Sequence, residues 1–74
     1  MSVDPADLID FGERLAEMRR EYGDRIDLPN LGRSAFATLL GVSAIEYDVY
    51  ERGDRAPTVE FLAVLLTKTG ADAE

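Results

Sequence analysis

Apolar residues recur at helical spacing along several stretches of the chain. In the first stretch they lie three or four positions apart and form one stripe: Leu8, Phe11, Leu15, Met18 and Tyr22. A repeat of this kind is typical of an amphipathic helix whose apolar stripe faces a core. Asp4 can cap this helix and Pro5 suits its first position, so we expect it to cover residues 5–22 and to stop at Gly23.

Two shorter helices are predicted downstream, joined by a tight turn. The first covers residues 33–40 and ends at Gly41, because glycine readily adopts the left-handed conformation that ends many helices. The second covers residues 43–52, and Ser43 with Glu46 forms a capping-box pattern at its start. Completing this capping box is the role that we favour for Glu46.

A last helix is predicted over residues 58–69, and we expect residues 71–74 to fray beyond it. A long polar loop, 24–32, separates the first two helices. Its three apolar residues are expected to fold back onto the core: Ile26, Leu28 and Leu31. The pattern therefore predicts one all-α domain over residues 1–74.

Composition restricts the function classes that remain. The 74 residues include neither cysteine nor histidine, so thiolate metal sites and the commonest general base are absent. No catalytic triad can be assembled, and no serine lies in a nucleophile-elbow sequence. We therefore expect no enzyme, no cofactor, no metal ion and no small-molecule ligand. The apolar runs fall short of the ~20 residues that span a bilayer, and the start lacks a basic signal-peptide region, so we expect a cytoplasmic protein that binds no membrane.

Residues around the predicted tight turn are of the types needed to join two helices at a steep angle. Ala37 is small enough for a close helix crossing, Gly41 makes the turn, and Tyr47 and Tyr50 fall on the inward side as core residues rather than stacking platforms. Residues 50–58 then read YERGDRAPT. This series resembles the helix-turn-helix of the Cro and lambda-repressor-like (XRE) family, over roughly residues 11–70.

The resemblance implies a compact four-helix domain, with the family's usual fifth helix missing or supplied by a partner. It implies a small transcription regulator whose third helix enters the major groove of duplex DNA, with half-sites ~34 Å apart if two copies form a homodimer. It also implies an ion pair between Arg19 and Glu51, and a phosphate contact at Arg33. The implied structural set is Arg19, Ala37, Gly41, Tyr47, Tyr50, Glu51 and Gly53.

Candidate contacts with DNA or with a protein partner lie on and beside the outward side of the third helix. They are Arg33, Ser43, Ala44, Ile45, Asp48, Val49, Arg52 and Arg55. The family usually places Gln, Arg, Ser or Asn at the outward positions, where such side chains bond base edges. Here Ala, Ile and Val can reach only thymine methyl groups, and Asp accepts only from cytosine. Glu46 lies near the same face and could repel DNA, although its place in the capping box is the interpretation that we favour. The three arginines can bind phosphate, or simply promote solubility and favour the helix end.

The charge of the chain keeps a second function class open. The net charge is −7, with excess acid in both halves, whereas a DNA-binding domain usually carries a basic patch. An exposed apolar group that acids surround favours a protein contact. Two functions therefore remain: a regulator that binds duplex DNA, and a protein-interaction module that uses the outer face of the third helix.

Overall fold

A computed structural model describes residues 4–70 and places four helices in this range. Helix α1 spans Pro5–Arg25, α2 spans Arg33–Leu40, α3 spans Ala44–Glu51 and α4 spans Val59–Thr69. Residues 4–70 form no strand, so the predicted all-α class is confirmed. Within the same range no helix has both the length and the apolarity needed to cross a bilayer. The fraying expected at residues 71–74 lies outside the described residues.

Capping side chains and terminal glycines set most of the helix boundaries. Side-chain oxygens of Asp4, Ser43 and Thr58 each accept a hydrogen bond of 3.0–3.1 Å from a first-turn backbone N–H. Helices α2 and α4 end at Gly41 and Gly70, whose φ angles of 79° and 71° lie in the left-handed region that glycine adopts without strain. The predicted bounds of α2, α3 and α4 are therefore confirmed to within one residue.

Helix α1 is longer than predicted, because Gly23 does not end it. The helix continues to Arg25, and Gly23 is buried inside it. A methyl group at Gly23 would lie only 2.5 Å from the Leu28 carbonyl oxygen and 3.0 Å from the Leu31 side chain. The chain then reverses at Asp27, whose φ is 66°. The glycine therefore makes room for the returning loop instead of stopping the helix.

The loop between α1 and α2 buries one of its three apolar residues. Leu31 is 8% exposed and joins the core, as expected. Ile26 and Leu28 remain 36% and 49% exposed, so the expectation was wrong for them. The reason is local: the backbone of Leu28, rather than its side chain, packs against Gly23, and its N–H donates to the Gly23 carbonyl at 2.6 Å.

The core lies where the four helices meet and is rich in aromatic rings. Its buried members are Leu15, Leu31, Phe36, Ala37, Leu40, Tyr47, Tyr50, Phe61 and Leu65. The rings of Tyr50 and Phe61 are 4.5 Å apart, and Phe36 meets Tyr47 edge-on at 5.5 Å. Such pairs attract one another beyond the effect of burial alone. Both tyrosines are thus confirmed as core residues.

Helices α1 and α3 approach each other through two glycines. A methyl group at Gly12 of α1 would overlap the Glu51 carbonyl oxygen and lie 2.9 Å from its carbon. Gly53 follows α3 with a φ of 76°, and a methyl group there would lie 2.9 Å from the Cα atom of Ile9. Gly53 was predicted to close α3, but Gly12 was not singled out, because a glycine inside a helical stripe gives no turn signal.

Replacing Gly12 by alanine tests this backbone contact. We expect Gly12→Ala to lower the free energy of unfolding by about 2 kcal/mol, because the added methyl group meets backbone atoms that cannot rotate away. Gly32→Ala is the matched control, since nothing lies within 4 Å of a methyl group there. Urea unfolding monitored by circular dichroism measures both; equal effects would show that α1 and α3 do not approach in this way.

Candidate functional site

The candidate site is a shallow groove between the start of α2 and the outer face of α3. It is lined by Arg33, Ser34, Ala44, Ile45, Asp48, Val49 and Arg52. All of these except Ser34 were predicted contact positions. Of the other two predicted positions, Ser43 caps α3 at the rim of the groove, and Arg55 is exposed in the segment after α3. The fold thus brings most of the predicted contact residues together on one surface.

Two apolar side chains of α3 that line this groove differ in how far they are exposed to solvent. Ile45 is 80% exposed, the highest value among the large hydrophobic residues of the described range. Val49, which was expected to point outward, is instead half-buried and packs against the core. The cause is helical geometry: neighbours on a helix are ~100° apart, so Val49 lies at the edge of the face that buries Tyr50. Ile45 is therefore the main exposed apolar side chain of the groove.

Acidic side chains hold both arginines of the groove. Nη1 of Arg33 donates to Asp48 Oδ1 at 2.6 Å, and Nη1 of Arg52 lies 3.4 Å from Oδ2 of the same carboxylate. Arg52 also lies 2.9 Å from Asp54. The hydrogen bond to Asp48, followed by the charge of Glu51, raises the pKa of Arg33. The groove therefore presents paired charges, and an incoming anion must compete with carboxylates.

Below the groove, Glu51 is the centre of a buried polar network. Its side chain is 2% exposed and accepts two hydrogen bonds from Arg19, at 3.0 and 3.1 Å. Tyr47 donates to the same carboxylate at 2.5 Å, and Nε of Arg33 lies 2.7 Å from it. Arg19 also donates to the Leu31 carbonyl at 2.8 Å, which fixes the end of the loop. The ion pair implied between Arg19 and Glu51 is therefore present.

The network determines the ionisation of its members. Burial by itself would raise the pKa of Glu51, but hydrogen bonds from Arg19 and Tyr47 and the charges of Arg19 and Arg33 outweigh it, so the pKa is lowered. Burial, then the bond to Glu51, raises the pKa of Tyr47 far above its usual value. At neutral pH Glu51 is consequently an ionised acceptor and Tyr47 a neutral donor.

Glu46 has a structural contact as well as a place in the capping pattern. Its backbone N–H donates to Ser43, as the pattern predicts, while its carboxylate accepts a hydrogen bond of 3.0 Å from the Tyr50 hydroxyl. The Ser43 half of the capping box is therefore present, but the Glu46 carboxylate bonds Tyr50 instead of the Ser43 N–H, so Glu46 does not complete the box as expected. Sequence reasoning missed Ser34 and Asp54 at this site; the only signal for Asp54 was its position two residues after Arg52.

Comparison with known proteins gives no relative: no family model, no curated protein and no solved structure matches the chain. Among residues 4–70, no three acidic side chains are grouped so that they could hold a metal ion.

The buried carboxylate makes a testable contribution to stability. We expect Glu51→Gln to lower the free energy of unfolding by about 3 kcal/mol at pH 7, because it leaves Arg19 without its ionised partner. Since folding lowers the pKa of Glu51, this contribution is complete above the unfolded value near 4.5 and is lost as pH falls through the folded value.

Urea unfolding between neutral and acidic pH measures this effect. The difference between the natural protein and the Glu51→Gln variant should shrink as the pH falls below about 4.5. Asp10→Asn is the control, because Asp10 belongs to an exposed ion pair with Arg14 on α1, where such pairs contribute only about 0–1 kcal/mol. A difference in the free energy of unfolding that does not change with pH would show that folding does not lower the pKa of Glu51.

Proposed function

We propose that the chain is a small helix-turn-helix regulator of the Cro and lambda-repressor-like type. In this proposal α2, the turn at Gly41 and α3 form the helix-turn-helix, and the outer face of α3 contacts duplex DNA. The observation that carries the proposal is the buried pair between Arg19 and Glu51, 32 positions apart. The resemblance implied this long-range contact, which joins the first helix of the domain to the proposed recognition helix.

The surface of α3 supports the same proposal. Ser43, Ala44 and Ile45 are exposed at its first turn, which is where a recognition helix meets base edges. Arg33 and Arg52 both line the groove beside this face. A helix whose outer face is exposed, with cations beside it, fits the major groove of duplex DNA. Two copies would then read half-sites ~34 Å apart.

The electrostatic contribution to DNA binding is expected to be small. Arg33, Arg52 and Arg55 could contact about three phosphates, compared with about six to ten in proteins that bind DNA strongly. The net charge of −7 adds repulsion. We therefore expect weak binding that weakens further as salt rises.

A second candidate function is a protein-interaction module, and Ile45 favours it. This side chain is 80% exposed in a groove that Asp48 also lines. An aliphatic group exposed to this extent beside acidic residues suits a protein partner with an apolar pocket and basic surroundings. In this case the scaffold would be the same and the groove would be the docking surface.

Binding to random-sequence duplex DNA separates the two functions. For the proposed regulator, we expect measurable affinity at low salt, with a slope of log K against log salt of about −2 to −3, since each phosphate contact contributes about −0.9. Fluorescence anisotropy of a labelled duplex, measured over a salt series, gives this slope. If nothing binds at low salt, DNA binding is ruled out and the protein-interaction module is the function that remains.

A lysine at position 45 provides a second discriminating result. Ile45→Lys adds a cation and removes the exposed apolar group, so it should tighten DNA binding but abolish a protein contact at this groove. Val59→Lys is the matched control, because Val59 is 79% exposed on α4 and the change in charge is identical. Val49 is unsuitable for this test, because lysine there would disturb the core. Equal effects of the two lysines would show that the groove is not the DNA-binding surface.

A further inference from the structure

The carboxylate of Asp48 occupies the position between the two arginines of the groove. We propose that Asp48 competes with DNA phosphate for Arg33 and Arg52, so that contact with the DNA backbone requires phosphate to replace this carboxylate. The inference rests on the proposed DNA-binding function and names a restraint on that same surface. Asp48 is then a built-in competitor that keeps the affinity for DNA low.

The geometry leaves neither oxygen of Asp48 free of an arginine. Oδ1 accepts from Arg33 at 2.6 Å, and Oδ2 lies 3.4 Å from Arg52. Guanidinium groups bind carboxylate and phosphate through the same N–H donors. A phosphate that approaches the groove therefore meets donors that are already engaged, together with a negative charge that repels it.

A DNA phosphate can replace the Asp48 carboxylate because these ion pairs are exposed to water. The side chains are 47% exposed at Arg33, 52% at Arg52 and 35% at Asp48. Exposed pairs of this kind contribute little to stability. Asp48 is consequently a competitor that phosphate can displace, and the displacement will depend on salt concentration.

The two arginines are held differently once Asp48 is removed. Nε of Arg33 still lies 2.7 Å from the buried carboxylate of Glu51, so its guanidinium stays in place while Nη1 becomes available. Arg52 still lies 2.9 Å from Asp54 and is thus restrained by a second acid. Loss of Asp48 should therefore affect Arg33 more than Arg52, because the contact that is removed is 2.6 Å long at Arg33 and 3.4 Å long at Arg52.

The substitution Asp48→Asn tests the proposal, because it removes the charge and nearly preserves the shape. Anisotropy with a random-sequence duplex should show at least about threefold tighter binding at low salt. The slope of log K against log salt should become more negative by up to about 0.9, because in the natural protein the displaced Asp48 carboxylate takes up a cation that offsets the one released from the phosphate. Adding Arg33→Gln to Asp48→Asn should cancel the gain. Asp48→Ser provides a second neutral variant.

Asp10→Asn is the matched control, because it removes the same charge from an ion pair with Arg14 at 3.1 Å on α1. If Asp10→Asn tightens binding as much as Asp48→Asn does, the effect is one of net charge and the proposal is overturned. It is also overturned if the natural protein binds with the expected salt dependence but Asp48→Asn gains nothing. If neither the natural protein nor any variant binds DNA at low salt, the proposed function itself fails, and this inference fails with it.

Discussion

A carboxylate buried in a small helical domain must be matched by cations and hydrogen-bond donors, because an isolated charge is very costly to remove from water. Glu51 meets this requirement with Arg19 from α1, Arg33 from α2 and Tyr47 from its own helix. Because Arg19 also donates to Leu31, the same guanidinium fixes the loop that leads into α2. One carboxylate thus links three helices and the loop between the first two.

The same network reaches the surface through Arg33. One end of its guanidinium contacts the buried Glu51, and the other contacts Asp48 in the groove. The candidate site is therefore built on the network that holds the helices together. Changes at Arg33 affect stability and surface charge at once, whereas Ile45, 80% exposed, can vary with little effect on the core.

Local signals explain which parts of the structure could be predicted. Capping residues such as Ser43 and terminal glycines such as Gly41 act over a few positions, so the sequence showed the bounds of three helices. The prediction that Gly23 ends α1 was wrong, because the role of this glycine depends on a loop that packs against it. The pairing of Arg33 with Asp48, fifteen positions away, depends on how α2 and α3 meet, and no local spacing encodes it. The pair of Arg19 and Glu51 was predictable only through the family resemblance.

The glycine contacts between α1 and α3 also affect how the groove can bind. An eight-residue helix such as α3 would not persist by itself in water. Its C-terminal end is fixed to α1, because Gly12 meets the backbone of Glu51, the last residue of α3, and Gly53, just after the helix, meets the backbone of Ile9. Its outer face is therefore preorganised, and a partner need not supply the free energy of ordering the backbone. Even a surface whose charges are paired with one another can then gain affinity for a partner, because little of the binding free energy is lost to ordering.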